Sequence, residues 1–408
     1  MNFDDSPEEA AFRAQVVAFL DAHAKRKERD GLSSSYYASV PSAAAEHAHV
    51  EECKAWQRVK YDNGWAGITW PTQYGGRGGT AVQQGIFSQE EFKYDVAAGV
   101  FSVGIGMAGP TLIAHGTEAQ KERYLAPMLR GDEIWCQLFS EPNAGSDLAG
   151  LRTSAVRDGD EWIVSGQKVW NSGAHYSDWG ILLTRSDPDV PKHKGITYFV
   201  VDMHSPGVDV RPLRQITGAA HFNEVFLSDV RIPHENVLGE PNAGWGPILT
   251  TLANERTLIG GGQSQVSIDD FVALARYFGV AGDPVVRQHL ALQYTYFQTI
   301  RYMGYRVQSA ASSGVQPGPE SSVLKLAATR RLTHAGDLAM MLSGAAGMLA
   351  ADDAYLCGFW QQQFLNQWMS KLGGGTDQVQ RNIVGENVLG LPSEPRVDKN
   401  VAFRAIPT

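Results

Sequence analysis

The chain has 408 residues, enough for two or three units of the usual ~150 residues and for a large buried core. Hydrophobic residues make up 43% and charged residues 19%, with ten Trp and sixteen Phe, which excludes a mostly disordered chain. Acidic side chains outnumber basic ones by 44 to 35, and the net charge of −9 argues against a non-specific nucleic-acid binder or a basic membrane-surface protein.

In chain order, Met1-Asn2-Phe3-Asp4-Asp5 is acidic and lacks a basic-then-apolar secretion signal. Ser6-Pro7-Glu8-Glu9 predicts a helix start, with Ser6 as cap, Pro7 in the first turn and Glu9 three residues after the cap. Phe12, Val16 and Leu20 follow at helical spacing. Residues 28–50 lose that pattern and read as a loop or loosely helical segment. A turn-rich loop runs from Trp70-Pro71 to Gly79, and helical spacing then returns as far as about Arg130. From Trp135 the pattern changes. Residues 153–156, 162–164, 168–170, 181–184, 196–202 and 225–227 read as strands, and Asp158-Gly159 marks a hairpin between the first two. Beyond Gly244 the pattern is helical again, with breaks at 279–284 and 312–319.

Helical, then β, then helical: the expected fold class is α+β. It comprises an N-terminal helical domain (1–131), a middle antiparallel β domain (132–238) and a C-terminal helical domain of four-helix type (239–408). Strands confined to one block argue against a doubly wound parallel sheet. No run approaches about 18 uninterrupted apolar residues, so no membrane span is expected. The three cysteines, Cys53, Cys136 and Cys357, form no Cys-x-x-Cys pair and support neither a disulfide framework nor a thiolate zinc site. A soluble protein of the reducing cytoplasm fits best.

Glycine is over-represented, at 43 residues, and clusters at 75–79, 104–106, 260–262 and 373–375. Clustered glycine brings backbone close to something, often a cofactor. Gly104-Ile105-Gly106-Met107-Ala108-Gly109 matches G-x-G-x-x-G, but a dinucleotide fingerprint needs a preceding strand and a βαβ unit. Here the surroundings are helical and Pro110 follows at once, so close helix packing is the better reading. His47-Ala48-His49 with Glu51, Glu52 and Cys53 offers ligand types without the i, i+4 His pair of a helical zinc site, and reads as a solvated charged face.

The segment Cys136-Gln137-Leu138-Phe139-Ser140-Glu141-Pro142-Asn143-Ala144-Gly145-Ser146-Asp147 puts hydroxyls and backbone donors at a strand end and turn. Taken alone, it is an Asx/Gly turn. It also resembles the flavin-binding segment of the acyl-CoA dehydrogenase family, and Ser165-Gly166-Gln167-Lys168-Val169-Trp170-Asn171-Ser172 is similar to that family's next segment. The likeness continues through Trp70-Pro71, Gly116-Thr117-Glu118, Val230-Arg231-Ile232-Pro233 and Gly375-Thr376-Asp377-Gln378. The resemblance implies FAD as cofactor, with Gln137, Phe139 and Ser140 at the isoalloxazine and Trp170 and Ser172 flanking it from the other side. It also implies Ser146 facing the thioester ligand, Thr376 and Gln378 at the flavin, and Arg287, with Gln298 eleven residues on, reaching the flavin of a neighbouring subunit. Gly344 and Gly347 resemble a Gln-x-x-Gly-Gly-x-Gly loop in which Met341 replaces the usual Gln, and the Arg-x-x-Phe-Gly pattern around Arg287 is not intact.

The implied chemistry needs a carboxylate to take the proton α to a thioester. Many family members carry that Glu at the position of Gly374, which has no acid. A second family arrangement puts it on a helix as Glu-Arg, and Asn254-Glu255-Arg256 fits, with Arg256 on the substrate side. Trp245, Ile248, Leu252 and Ile259 form an apolar stripe, and Glu255 lies three residues after Leu252. Desolvation there should raise its pKa, as a general base requires. Without the resemblance, Glu255 reads as a stripe-edge residue pairing a cation. Glu141 and Glu386 read as turn and helix-surface residues.

Gly373 to Gly375 precede Thr376, an N-cap for a helix running to Gly390, and the resemblance puts the Gly374 N–H on the thioester oxygen. The expected function is FAD-dependent α,β-dehydrogenation of an acyl-CoA by a homodimer or homotetramer, with electron-transfer flavoprotein as acceptor. The alternatives are an oxidase or flavin mono-oxygenase on the same scaffold, or a non-catalytic subunit of a hetero-oligomer. The Glu-Arg placement and the Gly-Gly-Gly-Thr form look most like bacterial members acting on branched, aromatic or steroid-side-chain thioesters.

Overall fold

The computed structural model describes residues 5–27, 43–261, 266–312, 318–319, 321–396 and 398–406. The N-terminal part holds helices α1 (Pro7–His23), α2 (Ala43–Asp62), α3 (Ala81–Glu91), α4 (Gly109–His115) and α5 (Glu118–Arg130). Three of them begin with the same local device. The Ser6 hydroxyl accepts the Glu9 N–H while the Glu9 carboxylate accepts the Ser6 N–H, and Thr80 with Gln83 and Thr117 with Gln120 repeat the exchange. From Ala43 onward the segment read as a loop or loosely helical is the regular helix α2; residues 28–42 lie outside the described residues. Val50, Cys53 and Trp56 give α2 a buried face that its polar composition conceals.

The middle part is one sheet of seven strands: β1 (Trp135–Leu138), β2 (Ser154–Asp158), β3 (Glu161–Val169), β4 (Trp179–Arg185), β5 (Ile196–Asp202), β6 (Val208–Leu213) and β7 (Phe222–Pro233). The order is β1-β4-β2-β3-β7-β6, with β5 also paired to β4. Pairing is antiparallel except at β4, which β1 and a single residue of β2 join in parallel. The β2–β3 hairpin turns at Gly159, whose φ is +62°. The two strands expected at 162–164 and 168–170 are one strand, irregular between Val164 and Gly166, and Trp170 lies beyond its end.

Side chains of β1, β4 and β5 alternate between two cores, as the two-residue period of a strand requires. Trp135, Phe139, Ile181, Leu183, Tyr198 and Val200 pack on the helices beside Tyr124, Leu125 and Met128. Cys136, Leu138, Leu182, Phe199 and Val201 pack inside the curled sheet against Trp162, Val164, Val225 and Leu227.

The remainder is helical: α6 (Trp245–Gly261), α7 (Ile268–Tyr277), α8 (Pro284–Ser312), α9 (Ser321–Ser343), α10 (Phe359–Leu372) and α11 (Asp377–Ile383). Phe271, Leu274, Leu338, Leu342, Phe359 and Trp360 form a core between them. The last helix stops earlier than expected: α11 gives way at Val384–Val388 to a π-helical turn, and Gly390 then adopts φ +67°. Asp377 anchors α11 by accepting from Lys325 Nζ (3.1 Å) and Thr329 Oγ1 (2.9 Å).

Candidate active site

The site is built on the end of β1. Phe139 is buried edge-on to Tyr198, with ring centroids 5.7 Å apart. The Ser140 carbonyl accepts the Val169 N–H (2.9 Å), and the Phe139 carbonyl accepts from Lys168 Nζ (3.1 Å). Strand β3 therefore holds the segment that follows β1 and leaves Gln137 and Ser140 half-buried. Glu141 sits in the expected turn, yet its carboxylate is buried and accepts from Lys168 Nζ (2.8 Å) and from the N–H groups of Arg152 (2.6 Å) and Thr153 (2.8 Å). Burial pushes the Glu141 carboxyl up, but the Lys168 ammonium and the other donors reverse this and hold it below its usual value.

Past the end of β3 the backbone turns left-handed at Trp170 (φ +65°), and its indole is left 61% exposed, edge-on to Phe222. The next residue, Asn171, is buried and donates from Nδ2 to the Gln137 carbonyl at 2.7 Å. Ser172 follows, half-buried. The two segments that the sequence singled out thus meet, and Asn171 joins them.

Helix α6 delivers Glu255 to the same place. Thr251 is buried, with its hydroxyl 2.8 Å from the Thr111 hydroxyl and 3.1 Å from the Tyr198 phenol, which fixes α6 against α4 and β5. Glu255 is one turn further along the same face. Gln137 Nε2 donates to Glu255 Oε2 at 3.5 Å, a long hydrogen bond. Ile248, Leu252 and Trp245 pack on the core, as the stripe expected; the side chains of Arg256 and Ile259 lie outside the described residues.

The other sequence-selected residues are placed as follows. Ser146 is exposed in the turn after Glu141. Gly374 and Gly375 both have positive φ, +63° and +81°, and Gln380 Nε2 donates to the Gly374 carbonyl (3.1 Å). Thr376 caps α11, its hydroxyl accepting the Val379 N–H (3.2 Å), and Gln378 is exposed in the first turn. Arg287 and Gln298 lie on α8, Arg287 exposed, and neither forms a hydrogen bond to Gln137 or Glu255 among the described residues. Gly344 (φ +53°) and Gly347 form the short helical turn after α9. Met341 is 43% exposed on α9. Glu386 belongs to the π turn and accepts from the Ser393 hydroxyl (2.9 Å).

The G-x-G-x-x-G segment is a π turn running into α4, with no strand before it. A Cβ at Gly109 would lie 2.1 Å from Trp70, so close packing accounts for the glycine. Among the described residues no group of three or more His, Cys, Asp or Glu is arranged to hold a metal ion. Sequence reasoning passed over Lys168 and Asn171, although both lie inside the quoted motif, and it passed over Glu46, His175 and Asn223. Only the tertiary contacts reveal what those side chains reach.

An exposed indole, half-buried amide and hydroxyl groups, and a carboxylate within hydrogen-bond reach of the Gln137 amide thus come together at the end of β1. Family models for the acyl-CoA dehydrogenase N-terminal, middle and C-terminal domains match residues 6–132, 136–230 and 242–389. The chain is 36% identical over 390 residues to acyl-CoA dehydrogenase IpdE1 of Mycobacterium tuberculosis (strain ATCC 25618 / H37Rv), covering 94% of this chain and 98% of that protein. Among solved structures, the Tcur3481-Tcur3483 steroid ACAD matches with TM-score 0.80 and 30% identity over 97% of this chain and all of that one. The ChsE4-ChsE5 complex from Mycobacterium tuberculosis matches with TM-score 0.77 and 29% identity, again over 97% of this chain and all of the matched one. The chain belongs to the acyl-CoA dehydrogenase family, whose members are flavoproteins, and it is an oxidoreductase acting on acyl-CoA. No helix among the described residues is long and apolar enough to cross a membrane.

Proposed function

We propose that the chain catalyses α,β-dehydrogenation of an acyl-CoA thioester to the trans-2-enoyl-CoA, with Glu255 as the base that removes the α proton. The observation that carries this reading is the meeting of Glu255 with Gln137 at the end of β1, while Gly374 leaves the other family position without a carboxylate. Glu255 takes the proton on a carboxylate oxygen. The Gly374 N–H, at the start of α11, polarises the thioester carbonyl and acidifies that proton. Gln137, Phe139, Ser140, Trp170, Ser172, Thr376 and Gln378 would hold FAD, which when bound supplies the acceptor for the hydride leaving the β carbon. Ser146 and Arg256 would face the thioester. Arg287, with Gln298, would reach the flavin of a neighbouring subunit, and Gly344 and Gly347 would make contacts on the adenosine side of the cofactor, so the enzyme works as an oligomer with itself or with a related chain. Electron-transfer flavoprotein is the proposed acceptor, and the proposed compartment is the cytoplasm.

The substrate class proposed is a thioester with a bulky, ring-bearing acyl group. Its support is the likeness to the steroid ACAD, together with the Glu-Arg placement of the base. Steady-state turnover with an artificial electron acceptor tests this against butyryl-, octanoyl-, isobutyryl-, 3-phenylpropionyl- and fused-ring propionyl-CoA. The expected result is the highest kcat/KM on a ring-bearing thioester. A preference for octanoyl-CoA or butyryl-CoA overturns the substrate class.

A further inference from the structure

Gln137 takes part in the proposed site twice, through its side chain to Glu255 and through its carbonyl to Asn171. The second link continues away from the site. Asn171 and Asn223 exchange main-chain hydrogen bonds, N–H to carbonyl in both directions, at 3.0 and 3.1 Å. The Asn223 amide nitrogen also donates to the Asn171 carbonyl (2.9 Å) and lies 3.1 Å from His175 Nδ1. His175 Nε2 in turn sits 2.9 Å from Glu46 Oε2, on α2. Both asparagines are almost wholly buried, Asn171 at 1% exposure and Asn223 at none.

The donor and acceptor roles along this path are fixed by its surroundings. Around Asn223 Nδ2 stand the Asn171 carbonyl, the His221 carbonyl (3.4 Å) and His175 Nδ1, so the nitrogen of the amide, not its oxygen, faces them. His175 Nδ1 is therefore the acceptor. Its ring hydrogen is on Nε2 and points at the Glu46 carboxylate, which holds the imidazole in that tautomer and orientation.

We propose that Glu46, His175 and Asn223 are positioning residues for the reaction. Acting through Asn171, they set the carbonyl of Gln137 and hence the place of its side chain against Glu255. The proposal rests on the reading of Glu255 as the base. A buried amide left without its partner is free to turn or shift. Displacement of a catalytic contact by about 1 Å is enough to lower a rate by up to ~100-fold. The path starts on an N-terminal helix and ends at the base on α6, so it joins parts of the chain that sequence separation hides.

The test uses the holoenzyme and two substitutions at one position. His175→Leu removes both hydrogen bonds, whereas His175→Gln restores an acceptor towards Asn223 and a donor towards Glu46. Each variant is compared with wild type for kcat and KM on the best thioester of the panel, for the absorbance spectrum of its bound flavin, and for its melting temperature. The expected result is a fall in kcat of about tenfold in His175→Leu, with KM within about twofold, and recovery of most of kcat in His175→Gln. A changed flavin spectrum in His175→Leu that reverts in His175→Gln supports the relay without any turnover measurement. Equal kcat in all three proteins, or loss of kcat in His175→Gln as large as in His175→Leu, overturns the relay. Glu255→Gln, measured in parallel, separates the two ideas. If it keeps full turnover, the base assignment fails, and the flavin spectra of the His175 pair still decide whether the relay reaches the cofactor strand.

Discussion

Lys168 has none of its side chain exposed, and its ammonium is held between the Glu141 carboxylate and the Phe139 carbonyl. Burial pushes the Lys168 pKa down to about 8 even with that carboxylate beside it, because the charged form loses its water. Removing the partner leaves the charge uncompensated, and Glu141→Gln is expected to destabilise the protein by about 3–5 kcal/mol at neutral pH. The Glu141 carboxyl is held below its ordinary value of 4.5, so its contribution is fully present above pH 4.5 and is lost as the pH falls through the lower folded value. Urea unfolding of wild type and Glu141→Gln should therefore differ most near neutrality and converge in acid. A gap that stays constant with pH contradicts the assignment. This pair shows where sequence reading stops. Glu141 is legible as a turn residue, and Lys168 stands inside a recognised motif. That they bury one another depends on β3 crossing the end of β1, which no local pattern states.

Among the elements, those with local causes are legible. Ser6 with Glu9 announces α1, and Gly159 announces the β2–β3 hairpin, because caps and tight turns are set within a few residues. Strand β6 escapes sequence reading. It packs only part of one face, contains Pro212 and lies at the edge of the sheet, so neither alternation nor composition marks it. The start of α2 escapes for the same kind of reason, since only four of its described residues, Val50, Cys53, Trp56 and Gln57, are buried. The glycine pattern at 104–109 reads as packing because its flanks are helical, and the structure agrees. Trp70 fills the space at Gly109 and donates from Nε1 to the Ile105 carbonyl (3.2 Å). Gly109→Ala should therefore cost about 1–3 kcal/mol of stability through overpacking. A Gly159→Ala control probes turn strain alone, since a Cβ there meets nothing within 4 Å. An unchanged melting temperature in Gly109→Ala contradicts the packing account.

Across the whole molecule, the candidate site lies where the sheet meets α6, and each part brings something the others lack. The sheet supplies a strand end with amide, hydroxyl and indole groups. The C-terminal helices supply the carboxylate. The N-terminal helices supply Thr111, which fixes α6, and Glu46, which pairs with His175 in the short turn after β3. The order of motifs makes Gln137, Trp170 and Glu255 legible in the sequence as residues of interest, and the structure brings the Gln137 and Asn171 segments and Glu255 together. That order gives no sign of the N-terminal part, since Glu46 lies beside a histidine cluster that suggests a different chemistry. Glu255 is the proposed base, and the glycine at 374 leaves it without a substitute. Anaerobic mixing of the purified yellow protein with its best thioester tests this assignment most directly, by following loss of flavin absorbance. Wild type should bleach, while Glu255→Gln should bind FAD and thioester yet bleach about 100- to 10,000-fold more slowly, the span a general base contributes. Bleaching of Glu255→Gln at the wild-type rate would contradict the account.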